Sequence, residues 1–390
     1  MAPNDSDRPP RGRAAEVSLP AFGSELVDRI RREGNVWRLG GGEIRLPEVF
    51  GFCRGVKRAL SILQDAVARH AEHSGGLFLL GQIIHNPWVN RYFEARGVRV
   101  LSGSQVEDFE RHVGSGDCVV IPAFGVKLPV ERRLRAIGCH IVDTSCGDVR
   151  RLWAWAGRAA QEGYGVLIFG RSQHDETVVT KSRLDAVGGR YVVVGDLSET
   201  QRFCELVTGQ ADAAAFGERF GPEATNARAF GPFERLAQVS QTTMLYDETL
   251  TVRERVRAAY AERYGADGLG ERLMFQPTVC RATQARQAAA VELCRRGCDL
   301  VVVVGGFGSS NTRHLYELAR GYATAWFIED ATALRSAREL ETMDLPGERP
   351  IVATDWLPQR RPLRIAVLAG ASSPEVVVGE VLRRLGEFLT

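Results

Sequence analysis

The chain has 390 residues and a formal net charge of +2, and 44% of its residues are hydrophobic and 25% charged. This composition is typical of a globular protein with a large buried core and room for about two to four domains. The small net charge gives no argument for nucleic-acid binding, no apolar run is long enough to span a membrane, and the first residues lack the pattern of a secretory signal. We therefore predict a cytoplasmic protein with neither a nucleic-acid nor a membrane partner.

The chain begins with a polar segment and continues as alternating strand and helix patterns. Residues 1–23 are rich in Pro, Arg, Asp and Ser without an apolar period, which predicts a disordered tail. Residues 24–48 contain a helical pattern at 25–32 and a strand pattern at 43–46. The later strand patterns lie at 77–84, 118–122, 140–143, 165–169, 191–194, 236–239, 300–304, 350–354 and 364–368, and the helical patterns at 56–68, 87–95, 130–137, 149–161, 250–264, 283–296, 311–320 and 374–385. This alternation predicts α/β units with mostly parallel sheets, interrupted at 204–231 by an insertion with a helix and a loop.

One arrangement occurs three times: an apolar run, then a cysteine, then a helical pattern. At a similar distance after each cysteine, a polar residue follows a predicted strand. The cysteines are Cys53, Cys146 and Cys280, and the polar residues are His85, His174 and Ser309. Because ligands of parallel sheets collect at the carboxyl ends of the strands, the repetition predicts three related βαβ units that face one centre. We place these units at residues 46–145, 146–279 and 280–390, with 1–45 as an N-terminal tail and extension.

Three thiols from three separate units hold a metal centre only if the fold brings them together. A structural zinc ion takes four ligands, and a [4Fe–4S] cluster normally takes four cysteines. With three cysteines, one iron keeps an open position for a substrate oxygen and could act as a Lewis acid as well as an electron source. The helix predicted after each cysteine favours the thiolate form. The alternative is three buried structural thiols, and we interpret the remaining cysteines, none of which forms a CxxC pair, as small hydrophobic residues.

The polar residues after the predicted strands suit a multiply charged anion. His85 and His174 occupy equivalent places in two units. In the third unit a Gly- and Ser-rich turn precedes a helix, whose first turn offers N–H groups and hydroxyls to an anion, and the turn at 369–374 repeats this arrangement. The side chains concerned are Ser309, Ser310, Asn311 and Ser372. The alternative for a histidine at a strand end is a purely structural role.

Glu176 is the natural proton donor of this group of residues. It lies two positions after His174, so we predict that both side chains share one side of an extended segment. A carboxyl group placed there could protonate a leaving group. The alternative is a solvated loop carboxylate.

In their order along the chain, the motifs resemble those of the LytB family, also called IspH, of 4-hydroxy-3-methylbut-2-enyl diphosphate reductases. The motifs are GFCRGV at 51–56, IHN at 84–86, DTSC at 143–146, HDET at 174–177, QTT at 241–243, CRATQ at 280–284, SSN at 309–311 and AGAS at 369–372. Each motif is weak alone, but the joint match covers about residues 47–390 and is specific. The insertion and the segments 122–125 and 355–358 resemble the longer branch of the family found in cyanobacteria and plastids.

The resemblance implies a trefoil of three α/β domains around a central cavity with an iron–sulfur cluster. It implies the last step of the methylerythritol phosphate route to isoprenoids, in which the allylic hydroxyl of the substrate is removed with two electrons and two protons to give isopentenyl and dimethylallyl diphosphate. Carried over to this chain, Cys53, Cys146 and Cys280 bind a [4Fe–4S] cluster with one open iron, Glu176 supplies protons and Thr242 orients the hydroxyl. The residues implied to hold the diphosphate are His85, His174, Ser309, Ser310, Asn311 and Ser372. The expected electron donor is a ferredoxin or flavodoxin.

Three positions depart from the family pattern. Phe124 stands where many shorter members have a histidine, Gly147 follows the second cysteine where a proline is usual, and Gln82 stands where an acidic residue is common. They leave room for a paralogue that acts on another allylic diphosphate or as a redox-neutral dehydratase. Further alternatives are a non-catalytic iron–sulfur sensor, which would need neither Glu176 nor Thr242, and a cluster-free α/β protein with structural cysteines.

Overall fold

The computed structural model describes residues 19–70 and 75–390, so most of the tail predicted at 1–23 lies outside the described residues. The prediction of disorder is wrong for its end, because Pro20–Phe22 form a 3-10 helix and Phe22 is buried. The helices are α1 (Glu25–Arg32), α2 (Arg54–His70), α3 (Pro87–Glu94), α4 (Ser104–Glu107), α5 (Leu128–Ile137), α6 (Gly147–Gln161), α7 (Asp175–Asp185), α8 (Leu197–Thr208), α9 (Phe216–Ala224), α10 (Tyr246–Tyr264), α11 (Leu269–Arg272), α12 (Arg281–Arg295), α13 (Ser310–Arg320) and α14 (Glu375–Glu387). The strands are β1 (Val36–Leu39), β2 (Gly42–Arg45), β3 (Leu77–Leu80), β4 (Arg99–Leu101), β5 (Cys118–Ile121), β6 (His140–Asp143), β7 (Gly165–Phe169), β8 (Tyr191–Val194), β9 (Leu236–Ser240), β10 (Leu273–Phe275), β11 (Leu300–Val304), β12 (Ala325–Ile328), β13 (Glu339–Asp344), β14 (Arg349–Thr354) and β15 (Leu363–Ala369). Within the described ranges, no helix combines the length and the apolar content of a membrane span.

Three almost entirely parallel sheets organise the molecule. The first has the order β4-β3-β5-β6 and the second β10-β9-β7-β8, and all neighbours in both are parallel. The third has the order β1-β2-β15-β11-β12, in which β1 and β2 form the antiparallel pair. Strands β13 and β14 form a separate antiparallel hairpin. The predicted fold class, α/β units with mostly parallel sheets, is confirmed.

Central strands are buried along their whole length because helices cover both faces of a parallel sheet. Every residue of β7 and β11 is buried, and the apolar runs at 165–169 and 300–304 therefore predicted both strands with the correct bounds. The strand predicted at 77–84 is too long. It ends at Leu80, where Gly81 with a φ of 87° turns the chain into the loop that carries His85.

The described part of the first 45 residues joins the sheet of the last unit. Strand β2 lies parallel to β15, with Ile44 opposite Ile365, and both side chains are fully buried. Helix α1, which has the predicted bounds, is held at the start of α14 because the Arg31 guanidinium donates to both carboxylate oxygens of Glu375, at 3.0 and 2.6 Å. The domain boundaries proposed from the sequence remain predictions.

The interval 204–231 forms part of the core of the second unit. It contains the end of α8 and helix α9, and its aromatic side chains pack against Phe203. The buried rings of this cluster are Phe203, Phe216, Phe230 and Phe233. The segment is therefore more structured than the predicted helix and loop.

Candidate active site

The three repeated cysteines lie together, each at the start of a helix. Cys53 directly precedes α2, and Cys146 and Cys280 are the N-cap residues of α6 and α12. A Cβ atom added at Gly55 would lie 2.8 Å from Cys146 Sγ and 3.7 Å from Cys53 Sγ, so both thiols flank the same glycine. Cys280 is close enough to Cys53 to interact with it electrostatically. None of the three forms a disulfide.

Strand ends of other units hold two of these cysteines in place. The N–H of Cys53 donates to the carbonyl of Ala371, after β15, at 3.2 Å. The N–H of Cys280 donates to the carbonyl of Thr242, after β9, at 3.0 Å. The position of each thiol therefore depends on how the units pack together.

The first turns of α6 and α12 favour the thiolate, as the sequence predicted, but burial has the larger effect on the pKa of Cys146 and Cys280. Burial raises the pKa of Cys146, and it raises the pKa of Cys280 to about 11. Hydrogen bonds oppose this effect but do not outweigh it: the Thr283 N–H and hydroxyl lie 3.3 and 3.2 Å from Cys280 Sγ. These thiols therefore ionise when a metal binds, since a coordinating thiol is deprotonated.

The surroundings of the thiols fit an iron–sulfur cluster. Gly55 leaves space between two of them, and N–H groups in the first turns of α2 and α12 point at the sulfurs of Cys53 and Cys280. Across 19–70 and 75–390, no three His, Cys, Asp or Glu side chains are grouped closely enough to hold a single metal ion. That result concerns one ion, whereas each ligand of a [4Fe–4S] cluster binds a different iron, so its ligands stand farther apart.

Replacement of Gly55 by alanine is expected to weaken cluster binding by about tenfold. The added methyl group would lie 2.8 Å from Cys146 Sγ, inside van der Waals contact, so the thiol has to move. Iron and sulfide content after anaerobic reconstitution measures the effect. Gly157→Ala in α6, where an added Cβ meets no atom within 4 Å, is the control. Equal iron content in both variants would contradict the prediction.

A buried acid is hydrogen-bonded to the residue that holds the Cys280 backbone. Glu176 is 3% exposed, its Oε1 accepts the Thr242 N–H at 2.6 Å, and its Oε2 lies 2.6 Å from Thr242 Oγ1. Burial raises the pKa of Glu176 to about 7, although the two hydrogen bonds lower it. The Thr242 carbonyl also accepts the N–H of Cys280, so Thr242 is hydrogen-bonded both to the acid and to the backbone of one of the cysteines. Glu176 can therefore hold or release a proton near neutral pH.

His174 provides a neutral hydrogen-bond donor. It is the N-cap of α7, and its Nδ1 accepts the Glu176 N–H at 3.2 Å. Burial lowers the pKa of His174 to about 3, so we assign the ring proton to Nε2, which is buried and makes no hydrogen bond within the described structure. The extended segment predicted at 174–176 is wrong, because a helix begins at Asp175 and directs Glu176 toward Thr242.

His85 belongs to the same site. Its ring centroid lies 5.4 Å from that of His174, and its Nε2 is buried without a hydrogen-bond partner, 3.7 Å from Asp175 Oδ2. Burial lowers the pKa of His85 although Asp175 raises it. Phe124 stacks on the imidazole at a centroid distance of 4.8 Å and an angle of 3°. At the position where many family members have a histidine, this chain therefore has a side chain that orients a donor.

The serine and asparagine side chains of the third unit lie next to the His85 loop. Ser309 is the N-cap of α13, and the Ser372 hydroxyl lies 3.2 Å from Ser309 Oγ and 3.4 Å from the His85 carbonyl. Asn311 Oδ1 accepts the Ala371 N–H at 2.9 Å, which leaves its buried Nδ2 without a partner in the described structure. Buried polar groups are almost always paired, so this amide and the two imidazoles are donors left for a ligand.

Gln241 connects the second and third units, a role that the sequence did not indicate. It is 1% exposed, its Oε1 accepts the Arg171 N–H at 3.1 Å, and its Nε2 donates to Ser310 Oγ at 3.0 Å and to Thr243 Oγ1 at 2.7 Å. Because Ser310 accepts this bond, its own proton remains available. The sequence feature that could have indicated this role is the position of Gln241, directly after strand β9 and directly before Thr242.

The fold and the site define an α/β enzyme. The packing of three largely parallel sheets brings free thiols, a buried acid and unpartnered neutral donors to one centre. Perturbed pKa values at such a centre are typical of catalytic sites.

The chain belongs to the LytB family, because the family model for LytB protein matches residues 44–386. It is 39% identical over 377 residues to 4-hydroxy-3-methylbut-2-enyl diphosphate reductase of Gloeobacter violaceus, covering 94% of this chain and 88% of that protein. The enzyme of the same name from Thermosynechococcus vestitus is 35% identical over 384 residues, with 96% and 92% covered.

Two solved structures are similar to this fold. One is (E)-4-hydroxy-3-methyl-but-2-enyl diphosphate reductase, described as the terminal enzyme of the non-mevalonate pathway, with a TM-score of 0.53, 25% identity, and 88% of this chain and 99% of that chain covered. The other is E-1-hydroxy-2-methyl-but-2-enyl-4-diphosphate reductase from Plasmodium falciparum, with a TM-score of 0.63, 18% identity, and 87% and 86% covered. The second likeness concerns the fold alone, and both agree with the predicted trefoil of α/β domains.

Proposed function

We propose that this chain reductively dehydroxylates (E)-4-hydroxy-3-methylbut-2-enyl diphosphate to isopentenyl and dimethylallyl diphosphate. Membership of the LytB family and the names of its relatives support this substrate. The observation that carries the proposal is the buried Glu176–Thr242 pair, joined through the Thr242 carbonyl to Cys280. Glu176, whose pKa burial raises to about 7, would thus be a proton source linked through Thr242 to the backbone of a cysteine.

The thiols supply the redox part of the site. Cys53, Cys146 and Cys280 would hold a [4Fe–4S] cluster, and that group when bound would pass the two electrons of the reduction to the substrate one at a time. A ferredoxin or flavodoxin is the proposed source of these electrons. Glu176 and Thr242 are buried at this centre, which strengthens the electrostatic interactions there.

Glu176 and Thr242 would deliver the proton with which the departing hydroxyl leaves as water. When Glu176 is protonated, its Oε2 can donate to Thr242 Oγ1, and the threonine hydroxyl can then donate onward to the substrate oxygen. This exchange delivers a proton without moving either side chain. One proton leaves with the hydroxyl as water, and the second is added to the carbon skeleton of the product.

Neutral donors would hold the diphosphate. His174 Nε2, His85 Nε2 and Asn311 Nδ2 are buried and have no hydrogen-bond partner among the described residues, and the first turn of α13 adds N–H groups and the positive end of a helix dipole. The hydroxyls that would complete the site belong to Ser309, Ser310 and Ser372. Donors of this kind bind a highly charged group through hydrogen bonds alone and add no formal charge to the site.

The test is anaerobic turnover of the purified, reconstituted protein. We expect (E)-4-hydroxy-3-methylbut-2-enyl diphosphate and a chemical reductant to give both isopentenyl and dimethylallyl diphosphate. Turnover without reductant would instead indicate a dehydratase. Protein that contains no iron or sulfide after anaerobic reconstitution would contradict the proposal altogether.

Turnover is expected to fall as the pH rises above about 7. The active form of Glu176 is the protonated one, and because burial raises its pKa to about 7, this form is fully present below that pH and is lost above it. Above the pKa, kcat/KM should decrease about tenfold per pH unit. A pH–rate profile measures the decrease, and a flat profile between pH 6 and about 9 would rule out this role of Glu176.

A further inference from the structure

Arg286 is a buried cation without a carboxylate partner in the described structure. It lies in the second turn of α12 and is 5% exposed. Its Nε and Nη2 donate to the Gly51 carbonyl at 3.1 and 2.6 Å, and its Nη1 donates to the Ala282 carbonyl at 2.8 Å. All of these acceptors are backbone carbonyls. A buried arginine normally has an anion beside it, because desolvation of a charge is expensive.

The groups that would balance this charge are the thiols. Burial lowers the pKa of Arg286, and Cys53 and Cys280 are the two groups whose charge raises it. A coordinating thiol is deprotonated, so metal binding would give the guanidinium thiolate counter-ions at Cys53 and Cys280. Three thiolates around a [4Fe–4S] core of charge 2+ carry one net negative charge in the oxidised state and two in the reduced state. One buried arginine neutralises the single net negative charge of the oxidised state.

The same side chain connects two of the cysteine loops. Arg286 lies on α12, whose N-cap is Cys280. Two N–H groups of its planar guanidinium fork donate to the carbonyl of Gly51, two residues before Cys53. A guanidinium is suited to such a two-point contact, and a lysine is not. Movement of Arg286 would therefore change the distance between two thiols.

We propose that Arg286 is the fixed counter-charge of the three-thiolate centre and the positioning residue that sets the Cys53 loop against α12. The inference rests on the cluster in the proposed function. A positive charge beside the cluster favours its reduced, more negative state, so Arg286 raises the reduction potential. Its contact with Gly51 also slows the loss of the cluster.

Two substitutions separate charge from position. Arg286→Gln removes the charge but keeps an N–H donor for Gly51, and Arg286→Lys keeps the charge but loses the fork. Arg295→Gln is the matched control, because Arg295 lies exposed at the end of the same helix. The readouts are iron and sulfide per chain after anaerobic reconstitution, the rate of iron loss to a chelator, and the midpoint potential from a redox titration.

In Arg286→Gln the ratio of reduced to oxidised cluster at a fixed solution potential should fall about tenfold, which is a shift of about 59 mV to more negative potential for one electron. In Arg286→Lys the potential should stay near that of the unmodified protein, while iron loss becomes about tenfold faster. A Gln variant with the unmodified potential overturns the charge role, and a Lys variant with unmodified iron loss overturns the positioning role.

Folding and the proposed function are checked separately. The circular dichroism and melting temperature of the metal-free variants show whether they fold, and Arg286→Met is a second neutral variant should the Gln variant fail. Absence of a cluster from the unmodified protein would contradict the proposed function. A cluster in the unmodified protein whose potential and stability do not respond to Arg286 would contradict this inference alone.

Discussion

Replacement of Glu176 by glutamine is expected to lower turnover by about 10²- to 10⁴-fold while the protein keeps its iron. Glutamine has nearly the same shape, and its side-chain oxygen can still accept the Thr242 N–H that now lies 2.6 Å from Glu176 Oε1. It cannot donate a proton to the leaving oxygen. The variant therefore removes the acid and leaves the packing between the second unit and Cys280 intact.

Steady-state rates at pH 7 together with iron analysis measure this effect. Glu254→Gln, at an exposed position of α10, is the control for a general effect of removing a carboxylate. Glu176→Asp keeps the acid but shortens its reach to Thr242. We therefore expect its turnover rate to lie between those of Glu176→Gln and Glu254→Gln. A Glu176→Gln variant with the unmodified rate and pH profile would show that the proton comes from another group.

Replacement of Cys280 by alanine is expected to remove most of the bound iron and all measurable turnover. Three ligands are already one fewer than a [4Fe–4S] cluster normally takes, so the loss of another leaves the cluster attached at two points. We expect the iron content to be roughly a tenth or less of that of the unmodified protein. The sheets do not depend on this thiol, since β9 pairs with β7 and β10 pairs with β9 without it, and the metal-free variant should fold.

The matched control lies on the same helix. Cys294 is 4% exposed and packs in the hydrophobic core beside Leu293 and Val301, as expected for a structural thiol. Cys294→Ala should cost some stability through a small cavity but leave iron content and turnover unchanged. Iron analysis and circular dichroism of the two variants distinguish ligand from core residue, and equal iron loss in both would contradict the assignment.

The sequence predicted the fold where burial dominates. Strands such as β7 and β11 are apolar from end to end, and helix α1 has a clear amphipathic period, so their bounds were correct. The three cysteines were grouped because each stands at the same place in a repeated strand–helix pattern. The structure places Cys53 and Cys146 around one glycine, which agrees with that prediction.

Features that depend on packing between units could not be predicted. The pKa of Cys280 is set by burial against neighbouring units, and this effect outweighs the local helix start from which a thiolate was predicted. The Phe124 ring that orients His85 belongs to a different loop, and no local pattern announces the stack. No sequence pattern distinguishes Arg286 from the other arginines on helices, and only its burial marks it. Such properties arise from contacts between distant segments.

The pairing of β2 with β15 determines when the chain can fold during synthesis. Strand β2 is made long before β15, the neighbour that it needs on one side. The third sheet therefore closes only after β15 has been made, and contacts of such high sequence separation fold slowly. Because β15 leads directly to Ala371, whose carbonyl holds the N–H of Cys53, the Cys53 loop also gains its final position only then. We therefore expect the proposed cluster to be inserted only after β15 has been made.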